Sequence, residues 1–528
     1  MYSQAKTFEH YQSMKKLSGL FAIGTLLLVF WSLNCSAGDL VSLRILHVND
    51  FHGYAESHRP AGSQVAWGGI AFLAGEVNRL RPGQPTLLLA AGDMIQGNPW
   101  TNLVQGASTL EVLNAMDFTA LVLGNHEFDF GLEPLSNLIG QARFPFLAAN
   151  VKGLAGVKPY LIRKFDGIRV AVIGLVTEDT PITTHPKNVE GLTFLPPAES
   201  LRQVMAGLSG HADLTIVLSH LGLPADKRLA QEVDGIHLIV GGHTHTRLEK
   251  PLRINQTIIV QAWEHGKVLG LVNLKWNGRQ VSEVEASLIA IRPDHLSAEP
   301  QVAVLVEKYQ KQAASILDQT IGRAAVDLTG KGSRSRETSL GNFLTDIFRK
   351  EGGADAALLN GGGIRADLLQ GPIRMRDLLS VLPFRNHLVV FRISGQEILE
   401  ALEYGLSDLS GDGGQFPQVS GLHLFYDPGA PSGRRIKEAW ILGKPLEPFA
   451  YYRLATIDFL AAGGDGYTLF KKLLQADTRG TPIPGATAEE NRVVLFDSAR
   501  DIRDIVIQHI KEQEIITTPV EGRIQIWR

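Results

Sequence analysis

The chain has 528 residues, 44% hydrophobic and 20% charged, with a formal net charge of −3. That length allows two or three domains with sizeable cores. The near-neutral balance provides no basic excess for a nucleic acid, and none is expected as a partner.

The first feature along the chain does not read as part of a fold. Lys15 and Lys16 precede the apolar stretch GLFAIGTLLLVFWSL, residues 19–33, and small residues surround Cys35. A basic start, an apolar middle and a small-residue exit make a secretory signal peptide over residues 1–37, cut near Ala37. The run is shorter than the roughly 18 residues of a membrane span. The expectation is export to the periplasm or cell surface, with no span after cleavage. A lipidated Cys35 is the alternative, but the Leu usual three positions earlier is replaced by Ser32. Cys35 is the only cysteine, so no disulfide is expected in the exported chain.

Residues 41–292 alternate strand-like apolar runs with helix-like segments, the signature of an α/β domain with a largely buried sheet. LRILHVND (43–50) closes on Asp50, with His52 two residues on. TLLLAAGD (86–93) closes on Asp93, and ALVLGN (120–125) closes on Asn125 with His126 next. LTIVLSH (214–220) closes on His220, and IHLIVGGHTH (236–245) delivers His243 and His245. One polar residue behind a strand is an ordinary turn or cap. Five such endings in one domain are hard to assign to caps.

In α/β sheets, ligands bind outside the carboxyl ends of the strands. If these five strands share one sheet, their ends converge. In extended chain, the pairs 50/52 and 243/245 would each face one way. His47, inside its run, is assigned a structural place. His185, His211 and His237 lack comparable context and read as loop or surface residues. Setting His126 aside, two Asp, one Asn and four His exceed one tetrahedral zinc site. They suit two divalent ions about 3.5–4 Å apart that share a carboxylate. The carboxylate–imidazole mixture suits Zn, Mn, Fe or Co over Ca or Mg.

PQVAVLVEKYQKQAASILDQ (300–319) places Val302, Leu305, Val306, Tyr309, Ala313, Ile316 and Leu317 at helical spacing. Pro300 suits a first-turn position. Residues 293–319 are expected to form a stiff linker helix between two domains. Residues 320–528 again mix helices and strands, with glycine-rich loops at NGGGIR (360–365), SGDGGQFP (410–417) and AAGGDGY (461–467).

In this order, HVNDFHG, AAGDMIQG, LGNHEFD, LSHLG and GGHTHT resemble the five blocks of calcineurin-like metallophosphoesterases. With RSRETSLGN, NGGGIR, LPFRN and FLAAGGDGY added, the whole chain after residue 37 resembles the bacterial and ecto-5′-nucleotidase family. The resemblance implies a four-layer α/β/β/α metallophosphoesterase sandwich over 41–292, the helical linker, and an α/β nucleoside-binding domain over 320–528. It implies hydrolysis of nucleoside 5′-monophosphates with two divalent ions, Zn, Mn or Co. Asp50, His52, Asp93 and His245 would hold one ion, and Asp93, Asn125, His220 and His243 the other. Some relatives carry Gln or Asn where His245 stands. Arg334 and Arg365 match phosphate-binding arginines, and Arg336 a further helper. Phe384 and Phe459 match rings that sandwich the base, Asn360 and Asn386 nearby polar contacts, and Asp465 a carboxylate for the ribose hydroxyls. Relatives also hydrolyse UDP-sugars, cyclic nucleotides, nucleoside di- and triphosphates, dinucleotide pyrophosphates or a protein-bound thiosulfate ester, and the aromatic and Asp465 set favours a nucleoside-bearing substrate over the last. A catalytically dead nucleotide-binding surface protein is the rival of another class. The sequence leaves oligomeric state open.

LVLGNHEFDFG (121–131) then divides by role. Asn125 is the neutral ligand. His126 is placed beside the bound phosphate to stabilise the transition state or protonate the leaving oxygen. Asp129 orients its ring, and Glu127 is assigned a structural part.

Overall fold

The computed structural model describes residues 40–59, 65–165, 167–478 and 492–527. The expected signal peptide, residues 1–37, lies outside them. Among the described residues, no helix is long and apolar enough to cross a membrane.

The N-terminal half contains two six-stranded sheets. The first runs Val281–Ala290, Val268–Trp276, Val41–Val48, Thr86–Ala90, Ala120–Val122, Phe146–Leu147. Its last four strands are mutually parallel. The second runs Leu252–Ile254, Thr257–Gln261, Leu238–Gly241, Leu214–His220, Ile168–Val176, Tyr160–Phe165, with its four central strands parallel. The five strands that end in polar residues therefore do not share a sheet. Three lie in the first and two in the second, and their carboxyl ends meet between the sheets.

Both faces of each sheet are buried, which is why the strands read as continuous apolar runs. Alternation sorts their side chains. Leu43, Ile45, Leu87 and Leu89 pack against Val170, Val172, Ile216 and Leu218 between the sheets. Leu46, Val48, Leu88 and Leu121 face outward onto helices Ile70–Leu80 and Ala107–Ala115. On the far side, Ile173, Leu175, Val217 and Ile239 cover helices Pro197–Gly207 and Leu223–Glu232 through Leu201 and Leu229. These are the four layers of an α/β/β/α sandwich.

Helix Pro300–Leu317 has Pro300 in its first turn and Glu299 accepting from the Val302 N–H. Val302 and Val306 join the outer core of the first sheet. The Tyr309 hydroxyl donates to Glu111 at 2.6 Å.

A separate core extends from Ile321 to Ile516. Its main sheet runs Pro417–Ser420, Ala356–Asn360, Tyr451–Ile457, His387–Ser394, Val493–Asp501. Ala356–Asn360 and Tyr451–Ile457 are parallel, and His387–Ser394 is antiparallel to the latter. Two strands thus end where the third begins. Asn360, Phe459 and Asn386 consequently gather at one edge, which faces the ends of the N-terminal sheets across a cleft.

Candidate active site

The structure gathers the polar strand ends into two adjoining groups. In one, ligand atoms of Asp50, His52 and His245 lie within 4.8 Å of one another. In the other, those of Asp93, His220 and His243 do the same. Asp93 Oδ2 is 3.1 Å from His220 Nε2 and 3.8 Å from His52 Nε2, so one carboxylate faces both groups. Asn125 Oδ1 joins the second group, 3.0 Å from His243 Nδ1.

Strand alternation is not what aims these residues. Strand Val41–Val48 has already ended, and Asp50, His52, Asp93, His243 and His245 have φ of 49, 51, 56, 77 and 51°. Side chains rarely adopt this left-handed backbone, and it concentrates at functional sites. The turns are held from behind. Buried Glu127 accepts from the N–H groups of Asp93 at 2.8 Å, Met94 at 2.7 Å and Gly124 at 2.6 Å. Glu127 thereby ties the Asp93 turn to the Asn125 turn. Burial, and then the neighbouring Asp93, push its carboxyl up to about 7. At Gly124 a Cβ would overlap the Asp93 carboxylate, so close approach requires glycine.

The donor chemistry fits divalent cations. His52 Nδ1 donates to the Gln96 carbonyl (2.8 Å), His220 Nδ1 to the Ala91 carbonyl (2.7 Å) and His245 Nδ1 to the Glu264 carboxylate (2.6 Å). Each ring, when neutral, must then turn an Nε2 lone pair to the centre, the usual arrangement of metal-binding imidazoles. His220 Nε2 is fully buried with Asp93 Oδ2 3.1 Å away, and His52 Nε2 and His245 Nε2 stand 3.2 Å apart. Two neutral rings so placed need either a shared proton or a cation between their Nε2 atoms. Burial opposes charge on His220 and His245, but the Asp93 carboxylate and the Asp50 carboxylate respectively outweigh it. These imidazoles are pushed up to about 10 and about 9.

His126 points elsewhere. Its Nδ1 is 2.6 Å from Asp129 Oδ2, and its backbone N–H donates to Asp93 Oδ1 at 2.9 Å.

The cleft encloses about 1000 Å³ and is lined from both halves of the chain. Arg365 Nη2 reaches to 3.4 Å from His52 Nε2, and its guanidinium lies 6.0 Å from the centre of the Phe384 ring. Phe384 lies over His126, with ring centres 5.5 Å apart. Half-buried Arg334 is pushed down to about 10, by desolvation first and then by Arg365. Two guanidiniums side by side create a demand for an anion. Asp465, itself left-handed with φ 47°, accepts from Asn360 Nδ2 at 2.6 Å, and burial raises its pKa. Asn386 and Phe459 also line the cleft, whereas Arg336 is absent from its lining and turns to the Lys331 carbonyl.

Two family models match the chain: Calcineurin-like phosphoesterase over residues 43–247, and 5′-nucleotidase, C-terminal domain, over 320–472. The snake venom 5′-nucleotidase of Crotalus adamanteus is 31% identical, covering 83% of this chain and 84% of that protein. The chain belongs to the 5′-nucleotidase family. The crystal structure of a 5′-nucleotidase precursor from Thermus thermophilus superposes with a TM-score of 0.83 at 31% identity, covering 92% of this chain and 99% of that one. The trifunctional nucleotide phosphoesterase of Bacillus subtilis is also 31% identical, but this chain spans only 33% of its length.

Four residues near the site escaped the sequence reading. Glu264 holds His245 and is held in turn by Lys267 Nζ at 2.5 Å. The rule used for the five strands would have found it, because TIIVQAWE (257–264) is one more apolar run closing on a carboxylate. Tyr404 lines the cleft and donates to the Asp465 carbonyl at 2.9 Å. Thr184 and Asn188, on a distant loop, bind Asp129. His185 is no ordinary loop histidine, since it lines the cleft. His211 is exposed, as expected, and His47 is buried against Gly270.

In this family setting, Glu264→Ala should lower affinity at the Asp50–His52–His245 group by about 10- to 100-fold. Equilibrium dialysis against buffered Mn or Zn measures it. Unchanged affinity would show that His245 needs no support.

Proposed function

We propose that the chain is an exported two-metal phosphohydrolase that removes phosphate from nucleoside 5′-monophosphates. One observation carries this reading. A carboxylate shared by two ligand groups faces, across one cleft, a pair of arginines, two aromatic rings and a half-buried Asp.

Asp50, His52, Asp93 and His245 would hold one ion, and Asp93, Asn125, His220 and His243 the other. When bound, two divalent cations lower the pKa of water and draw off phosphoryl charge. Arg334 and Arg365 hold the phosphate oxygens and neutralise charge that builds on them. Phe384 and Phe459 sandwich the base, Asn360 and Asn386 contact the nucleoside, and Asp465 accepts from the ribose hydroxyls. These contacts hold the ester so that water attacks phosphorus in line with the departing 5′-oxygen. His126 donates a proton to that oxygen, and Asp129 fixes the ring that does so. The binding groups come from both halves of the chain, so productive binding needs the cleft closed. Helix Pro300–Leu317 is fastened to the N-terminal half, and rotation would pivot just after it, near residues 318–320.

Phe384→Ala and Phe459→Ala should each raise KM for AMP by about 5- to 100-fold, since stacking is worth roughly 1–3 kcal/mol per base. Unchanged KM values would remove the sandwich from the account. A panel of nucleoside mono-, di- and triphosphates, UDP-glucose and cyclic nucleotides, assayed with Mn, Zn and Co, tests the substrate. Preference for any class over 5′-monophosphates would replace the reading with a relative's.

A further inference from the structure

The residue that orients the candidate proton donor is itself oriented. Asp129 has two carboxylate oxygens. Oδ2 meets His126 Nδ1 at 2.6 Å, and Oδ1 accepts from Thr184 Oγ1 at 2.6 Å. Thr184 is 2% exposed and lines the cleft beside Asp129. The Asp129 carbonyl accepts from Asn188 Nδ2 at 2.9 Å. The Thr183 carbonyl accepts from Asn125 Nδ2 at 3.3 Å. One loop segment therefore grips both the candidate ligand Asn125 and the candidate dyad.

That segment also reaches the other half of the chain. Helix Thr180–Thr183 packs against the turn Gly464–Gly466, which carries Asp465. The loop that steadies Asp129 thus lies against the turn proposed to hold the ribose.

We propose that Thr184 is a positioning residue for phosphate transfer, extending the His126–Asp129 pair to a chain of three; this rests on the two-metal phosphohydrolase reading. A carboxylate held at one oxygen only can rotate about its Cβ–Cγ bond and swing the imidazole with it. The Thr184 hydroxyl removes that freedom. Its influence falls on proton donation to the leaving oxygen and leaves metal affinity and nucleoside binding alone.

The test uses the full chain with AMP as substrate. Thr184→Val keeps the shape and removes the donor. It should lower kcat by about 10- to 100-fold, with KM within about twofold and both ions retained. Thr184→Ser, which keeps the hydroxyl, should restore kcat to within about threefold of wild type. Thr184→Ala reads the same step if the valine variant does not fold. Wild-type turnover in the hydroxyl-free variant that folds, or equal losses in it and the serine variant, would overturn the proposal. So would a loss confined to KM or to metal content. A wild-type protein without chelator-sensitive phosphate release would instead sink the phosphohydrolase reading on which the proposal rests.

Discussion

Asp93→Ala is expected to cut kcat/KM by about 10⁴-fold or more and to leave the protein with at most one tightly held ion. The size follows from what the carboxylate faces. Oδ2 lies between His220 and His52, one from each ligand group. On the proposed assignment its removal would take a ligand from both ions and the negative charge between them, and each ion would supply several kcal/mol of transition-state stabilisation. The fold should survive. The Asp93 turn keeps the bonds from its backbone N–H groups to Glu127, and of its fastenings only the His126 N–H bond to Asp93 Oδ1 is lost. Metal analysis after dialysis, read beside turnover, checks both halves of the expectation. Two ions retained in Asp93→Ala would show that the two groups do not share this carboxylate.

His126→Ala is expected to behave oppositely. Turnover should fall by about 10²- to 10⁴-fold, the usual range for a positioned acid or base, while both ions stay. His126 Nδ1 is committed to Asp129, and its ring lies beneath Phe384 on the cleft side of the ligands. Equal KM for AMP with depressed kcat would mark a group used only in the transition state. An emptied metal site would move His126 into the ligand set and dissolve the proposed division of the 121–131 segment.

The legible part of the fold was local. Apolar runs that stop at Asp, Asn or His can be read from single segments, because burial on both faces removes polar residues from the strand and leaves them at its end. The seven candidate ligands so marked are brought within reach of one another. Their division between two ions is a proposal here. What stayed hidden depends on contacts between distant segments. The five strands divide between two sheets, although their sequences are alike. The left-handed turns at Asp50, His52, Asp93, His243 and His245 have only a weak signature, since Asp and His enter this region more readily than most side chains but do so in few of their occurrences. The structural part of Glu127 was legible, but not its partners, because the N–H groups it gathers belong mostly to another loop. Arg336, two residues from Arg334, shared its motif but not its direction. Thr184 is 55 residues from the Asp129 it binds, and nothing local marks it.

The most direct test is phosphate release from AMP by the purified chain in three states: as isolated, after chelation and dialysis, and after refilling with Mn, Zn or Co. A two-metal phosphohydrolase predicts release in the first state, none in the second, and recovery in the third that saturates at two ions per chain. Release that persists without metal, or no release from AMP with any metal, would contradict it.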